Sequence, residues 1–377
     1  SNPNPRPSRE RCAMRSCAAG CAAVCLLLAA ATGFQVAPRA LRGVAARRGG
    51  SAVAASGSGS GEWDLKCFSP AKINLFLRIM GKRPDGFHEL ASLFQAIDLG
   101  DTLSFRVLPA SSAADEFECD VEGVPTDSTN LVLRALAVYR QRVGGDLPRF
   151  RVRLEKDTPV QAGLGGGSSN AATALWAANE LSGRKASAAD LELWSGELGS
   201  DVTFFLGPSG TAYCTGRGEL VEGVEPLESD ARAIFVVKPA VGLSTPLVFG
   251  TLAKSNYATL AVDRDPKQLL AAFASPAGAG PGDYVNDLEA PAFECLPELE
   301  KIKGMLLADK FAFSSAMMSG SGTSLFAVAD DATLVDLEAF PALFEKECLD
   351  TLGVAVRVWR TNFMRRNPEG WYDFPGA

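Results

Sequence analysis

Apolar and polar residues alternate at the start of the folded part of this chain, which opens at Trp63 or Asp64. In SPAKINLFLRIMGK, Ile73, Leu75, Leu77 and Ile79 are separated by Lys72, Asn74, Phe76 and Arg78, the period of a strand with one buried face. Lys72 and Asn74 therefore point the same way. Pro84, Asp85 and Gly86 predict a turn. A second strand begins at Phe87 and His88 and continues to Phe105, with another turn at Leu99, Gly100 and Asp101. Asp127, Ser128 and Thr129 are good caps for a helix over 130–142. Phe150, Val152 and Leu154 alternate with Arg151, Arg153 and Glu155 as a further half-buried strand. Helical patterns follow over 170–181 and 188–197, and an apolar run spans Val202 to Leu206. From about Val221 a second domain is predicted, with a strand in ARAIFVVKP and an insertion or mobile connection over 255–283. An amphipathic helix in NDLEAPAFECLPELEKIKGML and a strand, glycine turn and strand over 317–328 complete it.

Between the strand ending at Glu155 and the helix over 170–181 lies PVQAGLGGGSS, Pro159 to Ser169. Gly163, Gly165, Gly166 and Gly167 let the backbone bend sharply and bring N–H groups together. Ser168, Ser169 and Asn170 read as N-cap residues, so the loop should end at an open helix N-terminus, where amides and dipole favour phosphate. A P-loop is excluded, because no lysine lies between Lys156 and Lys185. A Rossmann fingerprint fits poorly, because Ser168 stands where its third glycine belongs. A surface loop without ligand is the alternative.

Composition changes the picture at the N-terminus. Residues 1–61 hold eight arginines, no lysine and one acid, Glu10. The apolar run Cys17 to Thr32 behind Arg9, Arg11 and Arg15 has the length of a signal-peptide core, and Phe34 to Ser60 has transit-peptide composition. The two together predict a bipartite address to a plastid bounded by extra membranes, as in algae with secondary plastids; a secretory signal with a spacer is the alternative. Without the leader, 29 basic residues face 43 acidic ones, a net of about −14 that argues against nucleic acid. Cys67, Cys119, Cys214, Cys295 and Cys348 lack CxxC spacing, which predicts free thiols in a reducing compartment. With one histidine in the chain, a His/Cys metal site is excluded.

Four residues outside the loop carry candidate chemistry, each with a plainer reading beside it. Lys72 is either a strand-end lysine in solvent or a charge aimed at a ligand. His88 is either a hydrogen-bonded turn residue or a recognition group. Asp201, between a glycine turn and an apolar run, is either a helix cap or a base at the edge of a cleft. Phe249 is either core or a stacking wall.

The segments PAKINLFL, DGFHEL, FQAIDLGD, GLGGGSSNAA, LGSDVTFFL and MMSGSGTSLFAV, in this order from Ser69 to Val328, resemble the GHMP small-molecule kinases. PAKINLFL with DGFHEL is similar to the branch acting on a cytidylyl-diphosphate alcohol of non-mevalonate isoprenoid synthesis. The resemblance implies an α+β fold of two domains with the active cleft between them. An S5-like ATP-binding and catalytic domain would span 62–220 and a ferredoxin-like substrate domain 221–364, with a tail over 365–377. It implies that ATP lays its phosphates on Pro159, Val160, Gln161, Ala162, Gly163, Leu164, Gly165, Gly166, Gly167, Ser168 and Ser169, with Mg2+ bridging the β- and γ-phosphates. Asp201 would be the catalytic base and Lys72 its partner, with Asn74 orienting the acceptor. His88 would hydrogen-bond the cytosine, Phe87 would stack on it where many relatives have tyrosine, and Thr245, Pro246 and Phe249 would form the second wall. Asn130 and Lys156 would line the adenosine side. The implied partner is a small molecule, with no nucleic acid, no membrane for the mature form, and a monomer or homodimer as the assembly. A mevalonate- or homoserine-type member has no use for Phe87, His88 and Phe249. A non-catalytic nucleotide-binding relative has none for Asp201 with Lys72.

Overall fold

Two long strands, β1 (Leu65–Lys82) and β2 (His88–Val107), pair antiparallel and run through the molecule. The turn between them closes where Gly86 N donates to Arg83 O and Phe87 N to Asp85 Oδ1. In this computed structural model residues 62–227, 233–253, 264–275, 277–330, 333–367 and 369–375 are described, all within one compact unit. The leader, 1–61, lies outside the described residues.

The chain continues through β3 (Glu116–Glu118), α1 (Leu131–Val143), β4 (Phe150–Glu155), α2 (Gly166–Leu181), α3 (Ala188–Ser195), α4 (Val202–Leu206), β5 (Thr211–Gly216) and β6 (Leu220–Gly223). These strands form one sheet in the order β3-β4-β2-β5-β6, with β1 on β2. The proposed domain boundary after residue 220 falls within β6, which pairs with β5. Small residues on α2, among them Ala171, Ala174 and Ala178, are fully buried and bring the helix close to the sheet.

The second half comprises β7 (Ile234–Pro239), α5 (Thr245–Leu252), α6 (Pro266–Phe273), α7 (Glu289–Cys295), α8 (Glu298–Leu306), β8 (Ser315–Met318), β9 (Leu325–Val328), α9 (Phe340–Leu352) and β10 (Val356–Thr361). Its antiparallel sheet has the order β10-β7-β9-β8. Counted along the chain these are the fourth, first, third and second strands, the ferredoxin-like order. Phe235, Phe311, Phe313, Phe340 and Phe344 interlock beneath it, edge to face in most pairs.

Several expectations change. Lys72, Asn74, Phe76 and Arg78 are buried as well as their neighbours, so β1 is covered on both faces. It feeds three core clusters, through Cys67 and Phe68, then Ile73 and Leu75, then Leu77 and Ile79. The turn expected at Leu99 to Asp101 is a bulge, with Ala71 opposite Ile97 and Pro70 opposite Gly100. A Cβ on Gly100 would lie 2.4 Å from Ser69 O, so only glycine lets the strands stay paired. The single helix expected over 286–306 is broken at Leu296, whose backbone leaves the helical region, as Pro297 favours for the residue before it. The expected connection over 255–283 contains α6, started by Asp265, whose side chain accepts from Lys267 N at 2.7 Å; its first part lies outside the described residues.

The tail has no regular element, yet it belongs to the core. Trp371 stacks on Trp176 at 5.2 Å and its Nε1 donates to Phe68 O at 2.8 Å. The five described cysteines are free. Burial pushes the Cys67 and Cys214 thiols far up and that of Cys348 to about 11, which keeps them protonated and unreactive.

Trp371→Ala should cost about 3–5 kcal/mol, the range for truncating a buried tryptophan, read as a lowered midpoint in urea unfolding. An unchanged midpoint would show that the tail only rests on the surface.

Candidate active site

Beyond Glu155 the chain turns into the glycine loop, and a carboxylate with no exposed surface fixes where it turns. Asp101 Oδ2 accepts from Lys156 Nζ at 2.7 Å and Asn170 Nδ2 at 2.9 Å, while Oδ1 accepts from the backbone of Asp157 and Thr158 at 3.0 and 2.8 Å. One side chain on β2 thus holds both ends of the loop.

Between those ends the backbone takes left-handed conformations at Gly163 (φ 73°) and Gly165 (φ 69°). A Cβ on Gly163 would lie 2.2 Å from Ser319 O, and one on Gly165 would lie 3.1 Å from Lys72 Cγ. Helix α2 begins at Gly166, earlier than the expected caps at Ser168 to Asn170, because the left-handed Gly165 already turns the chain into the helix. Gly165 offers no side-chain cap, so the first amides of α2 face open space. That space is a cavity of about 360 Å³ lined by Pro159 through Ser168, with Asn130 and Lys156 at its edge. Ser169 lies behind it, buried, its hydroxyl accepting from Ser69 Oγ at 2.8 Å. Asn130 caps α1 by accepting from Val132 N. Lys156 is held by Asp101.

Lys72 packs its stem against Gly165 and turns its ammonium to Asp201. Lys72 Nζ is 3.6 Å from Asp201 Oδ2, donates to Asn74 Oδ1 at 2.7 Å, and lies 4.4 Å from the centre of the Phe94 ring. Asp201 stands at the N-cap position of α4, yet its side chain makes no cap hydrogen bond there. The helix-cap reading therefore fails, and the carboxylate is left facing Lys72. Asn74 is fixed in turn, donating from Nδ2 to Ser92 Oγ at 2.8 Å. From the second sheet, the Ser319 hydroxyl reaches Gly163 O at 3.1 Å and Asn74 Oδ1 at 3.4 Å, so the turn between β8 and β9 touches both the loop and β1.

A second cavity of about 500 Å³ holds the remaining candidates: Phe87, His88, Thr245, Pro246 and Phe249 all line it, with Lys82, Ser200 and Arg217. His88 and Phe249 stack directly on one another at 5.0 Å, while Phe87 is exposed with Arg217 above it. Thr245 and Ser321 exchange a hydrogen bond of 2.7 Å, tying this wall to the turn between β8 and β9. Burial, and next the Lys82 ammonium, push the His88 imidazole below its ordinary value of 6.5, so the ring is neutral at pH 7. A neutral imidazole offers one donor and one acceptor, the equipment for reading a base edge.

Asp101, Ser319, Arg217 and Ser200 were not expected in these roles. Asp101 stood inside a quoted motif, but nothing in a linear pattern says that a turn acid anchors a loop more than fifty residues away.

These elements include the parts that a phosphoryl-transfer site requires. The chain belongs to the GHMP kinases: residues 130–207 match the GHMP kinases N terminal domain and residues 267–339 the GHMP kinases C terminal domain. Among curated proteins it is 44% identical over 313 residues to the chloroplastic 4-diphosphocytidyl-2-C-methyl-D-erythritol kinase of Oryza sativa subsp. japonica, covering 82% of this chain and 73% of that one. It is also 44% identical to the enzyme of that name from Protochlamydia amoebophila, over 75% of this chain and 90% of that one. A crystal structure of 4-(cytidine 5'-diphospho)-2C-methyl-D-erythritol kinase superposes with a TM-score of 0.62 at 31% identity, covering 79% of this chain and 99% of that one.

His88 is the one imidazole of the chain, so its titration can be read unambiguously by NMR. The midpoint should lie below 6.5 in the folded protein. The unfolded chain then binds the extra proton more readily. The contribution of His88 to stability is therefore complete above pH 6.5 and is lost as pH falls through the folded value. A midpoint at or above 6.5 would mean that the ring is solvated.

Proposed function

We propose that this chain transfers the γ-phosphoryl group of ATP to the 2-hydroxyl of 4-diphosphocytidyl-2-C-methyl-D-erythritol, with Asp201 as base and Lys72 as its partner. The observation that carries the catalytic part is the position of Lys72, whose Nζ lies 3.6 Å from Asp201 Oδ2 and whose aliphatic stem packs against Gly165 of the loop. Amides at the start of α2 hold the triphosphate, helped by the positive end of the helix dipole. The acceptor hydroxyl, hydrogen-bonded to Lys72 and Asn74, gives its proton to Asp201 as its oxygen attacks the γ-phosphorus, and ADP leaves. Lys72 pairs with the carboxylate before the step and offsets charge during it. The cytidine end lies in the cavity of Phe87, His88 and Phe249, where stacking and the neutral imidazole select the base.

Magnesium fits as a passenger of the nucleotide. Among the described residues no group of three or more His, Cys, Asp or Glu side chains could hold a metal, which agrees with an ion carried on phosphates and water. The Ser168 hydroxyl, which lines the loop cavity, would help to hold it, and the ion would neutralise charge on the β- and γ-phosphates.

In this reading the part over 62–220 supplies ATP binding and the base, and the part over 221–364 closes the substrate side. The arginine-rich leader and the chloroplastic rice relative support import into a plastid. The apolar run followed by Phe34 supports a secondary plastid of an alga.

A coupled assay offering the cytidylyl substrate, mevalonate and homoserine tests the acceptor; turnover of mevalonate or homoserine alone would refute the reading. Asp201→Asn should lower kcat by at least about 10²–10⁴-fold, the usual worth of a positioned base, while ATP affinity stays within about twofold. A kcat near wild type would remove Asp201 from the role. His88→Ala should raise KM for the cytidylyl substrate about tenfold or more with KM for ATP unchanged; equal effects on both would argue against base readout.

A further inference from the structure

The cleft contains a cation that neither the phosphate loop nor the Lys72–Asp201 pair uses. Strands β5 and β6 are joined by a tight turn in which Gly216 (φ 73°) and Gly218 (φ 108°) take the left-handed backbone that glycine permits. Gly218 N donates to Thr215 O at 3.0 Å, and Arg217 N donates to the Glu219 carboxylate. So fastened, the turn throws the Arg217 side chain over the 500 Å³ cavity, with its guanidinium 4.9 Å from the Phe87 ring. At its other end the same turn touches the reaction centre: a Cβ on Gly218 would lie 3.5 Å from Asp201 Oδ1. Arg217 therefore stands between the carboxylate read as base and the cavity read as cytosine clamp.

We propose that Arg217 binds the diphosphate of the cytidylyl substrate and thereby sets the position of the acceptor hydroxyl relative to Asp201. The inference rests on the acceptor named under the proposed function. In a cytidine diphosphate ester the two anionic phosphates lie between base and alcohol. With the base at His88 and the hydroxyl at Asp201, they must pass the turn that carries Arg217. A guanidinium presents parallel N–H donors that match phosphate oxygens in pairs. Its present partner, Glu219, is 3.7 Å away with both side chains partly exposed, a screened contact that a doubly charged ligand displaces. Lys82 lines the same cavity and its charge already reaches His88, so it adds a second cation. None of these residues lines the loop cavity assigned to ATP, so loss of Arg217 separates the two ligands.

The test compares wild type, Arg217→Ala and Arg217→Lys, with the ATP site filled by a non-hydrolysable ATP analogue. Calorimetry reads the binding of cytidine and of cytidine 5′-diphosphate. In Arg217→Ala the diphosphate should bind about 10- to 100-fold more weakly, as expected for losing charge-assisted hydrogen bonds, while cytidine changes less than about threefold. Arg217→Lys should recover part of the loss. In turnover, KM for the cytidylyl substrate should rise in the same proportion and KM for ATP should stay within about twofold. Equal loss for cytidine and its diphosphate would overturn the proposal and make Arg217 a support for the Phe87 ring. Unchanged diphosphate affinity would overturn it as well. Wild-type protein that binds neither cytidine ligand would overturn both this proposal and the acceptor reading beneath it.

Discussion

Asp101 is the residue on which the phosphate loop depends. A carboxylate stripped of water is costly to bury unless donors surround it, and removing any one of them leaves a charge in a poor solvent. Asp101, itself on β2, has four donors, three from the start of the loop just after β4 and one from the helix that leaves it. The carboxylate can be satisfied only when these three segments are in register. The consequence for chemistry is preorganisation: amides already pointing at one place need not be gathered when a phosphate arrives.

The same economy of position explains β1. Its eighteen residues enter all three core clusters, so the strand cannot shift without disturbing each of them. Lys72 is held where an ammonium would otherwise be unwelcome, at 4% exposure, because Asn74, Asp201 and the Phe94 ring together replace its water. Ser319 brings the second sheet into this arrangement. Its backbone oxygen sits where a side chain at Gly163 would go, and its hydroxyl reaches the loop and Asn74 together. Asp201, Lys72, the loop and the far hairpin are thereby one packed assembly, built from segments that are distant in sequence.

Local patterns announced most of the elements because local chemistry decides them. The alternation of Phe150 to Glu155 is the strand β4, and MMSGSGTSLFAV is the hairpin of β8 and β9. Where readings changed, a distant contact had overruled a local preference. Gly100 and Asp101 look like a turn, but pairing with Ser69 and Pro70 keeps them in β2. Ser168 to Asn170 look like a helix cap, but a left-handed Gly165 starts the helix first. The tail looks featureless because its contribution lies in where Trp371 packs. In the site, Lys72, Asp201 and the loop were legible through motif and residue type. The stacking of His88 on Phe249, and of Arg217 on Phe87, was not, since no spacing rule brings a β-turn and a helix from another sheet to one cavity.

Charge raises a last question. Once the leader is set aside the chain carries a net charge of about −14, and both ligands of the proposed reaction are polyanions. Over distances beyond about 8 Å salt screens that repulsion, so what matters is the charge within the cleft. Lys156 contributes little there, because its charge is matched by Asp101. The loop cavity is thus left with backbone dipoles equivalent to about half a charge at the start of α2, far less than a triphosphate carries. On the side proposed for the acceptor, Lys82 and Arg217 line the second cavity, and among the described residues the only ion pair of Arg217 is a partly exposed contact with Glu219. In the proposed reaction the two halves of the cleft therefore call for different carriers of positive charge: side chains beside the acceptor, and an ion arriving with the nucleotide beside the loop.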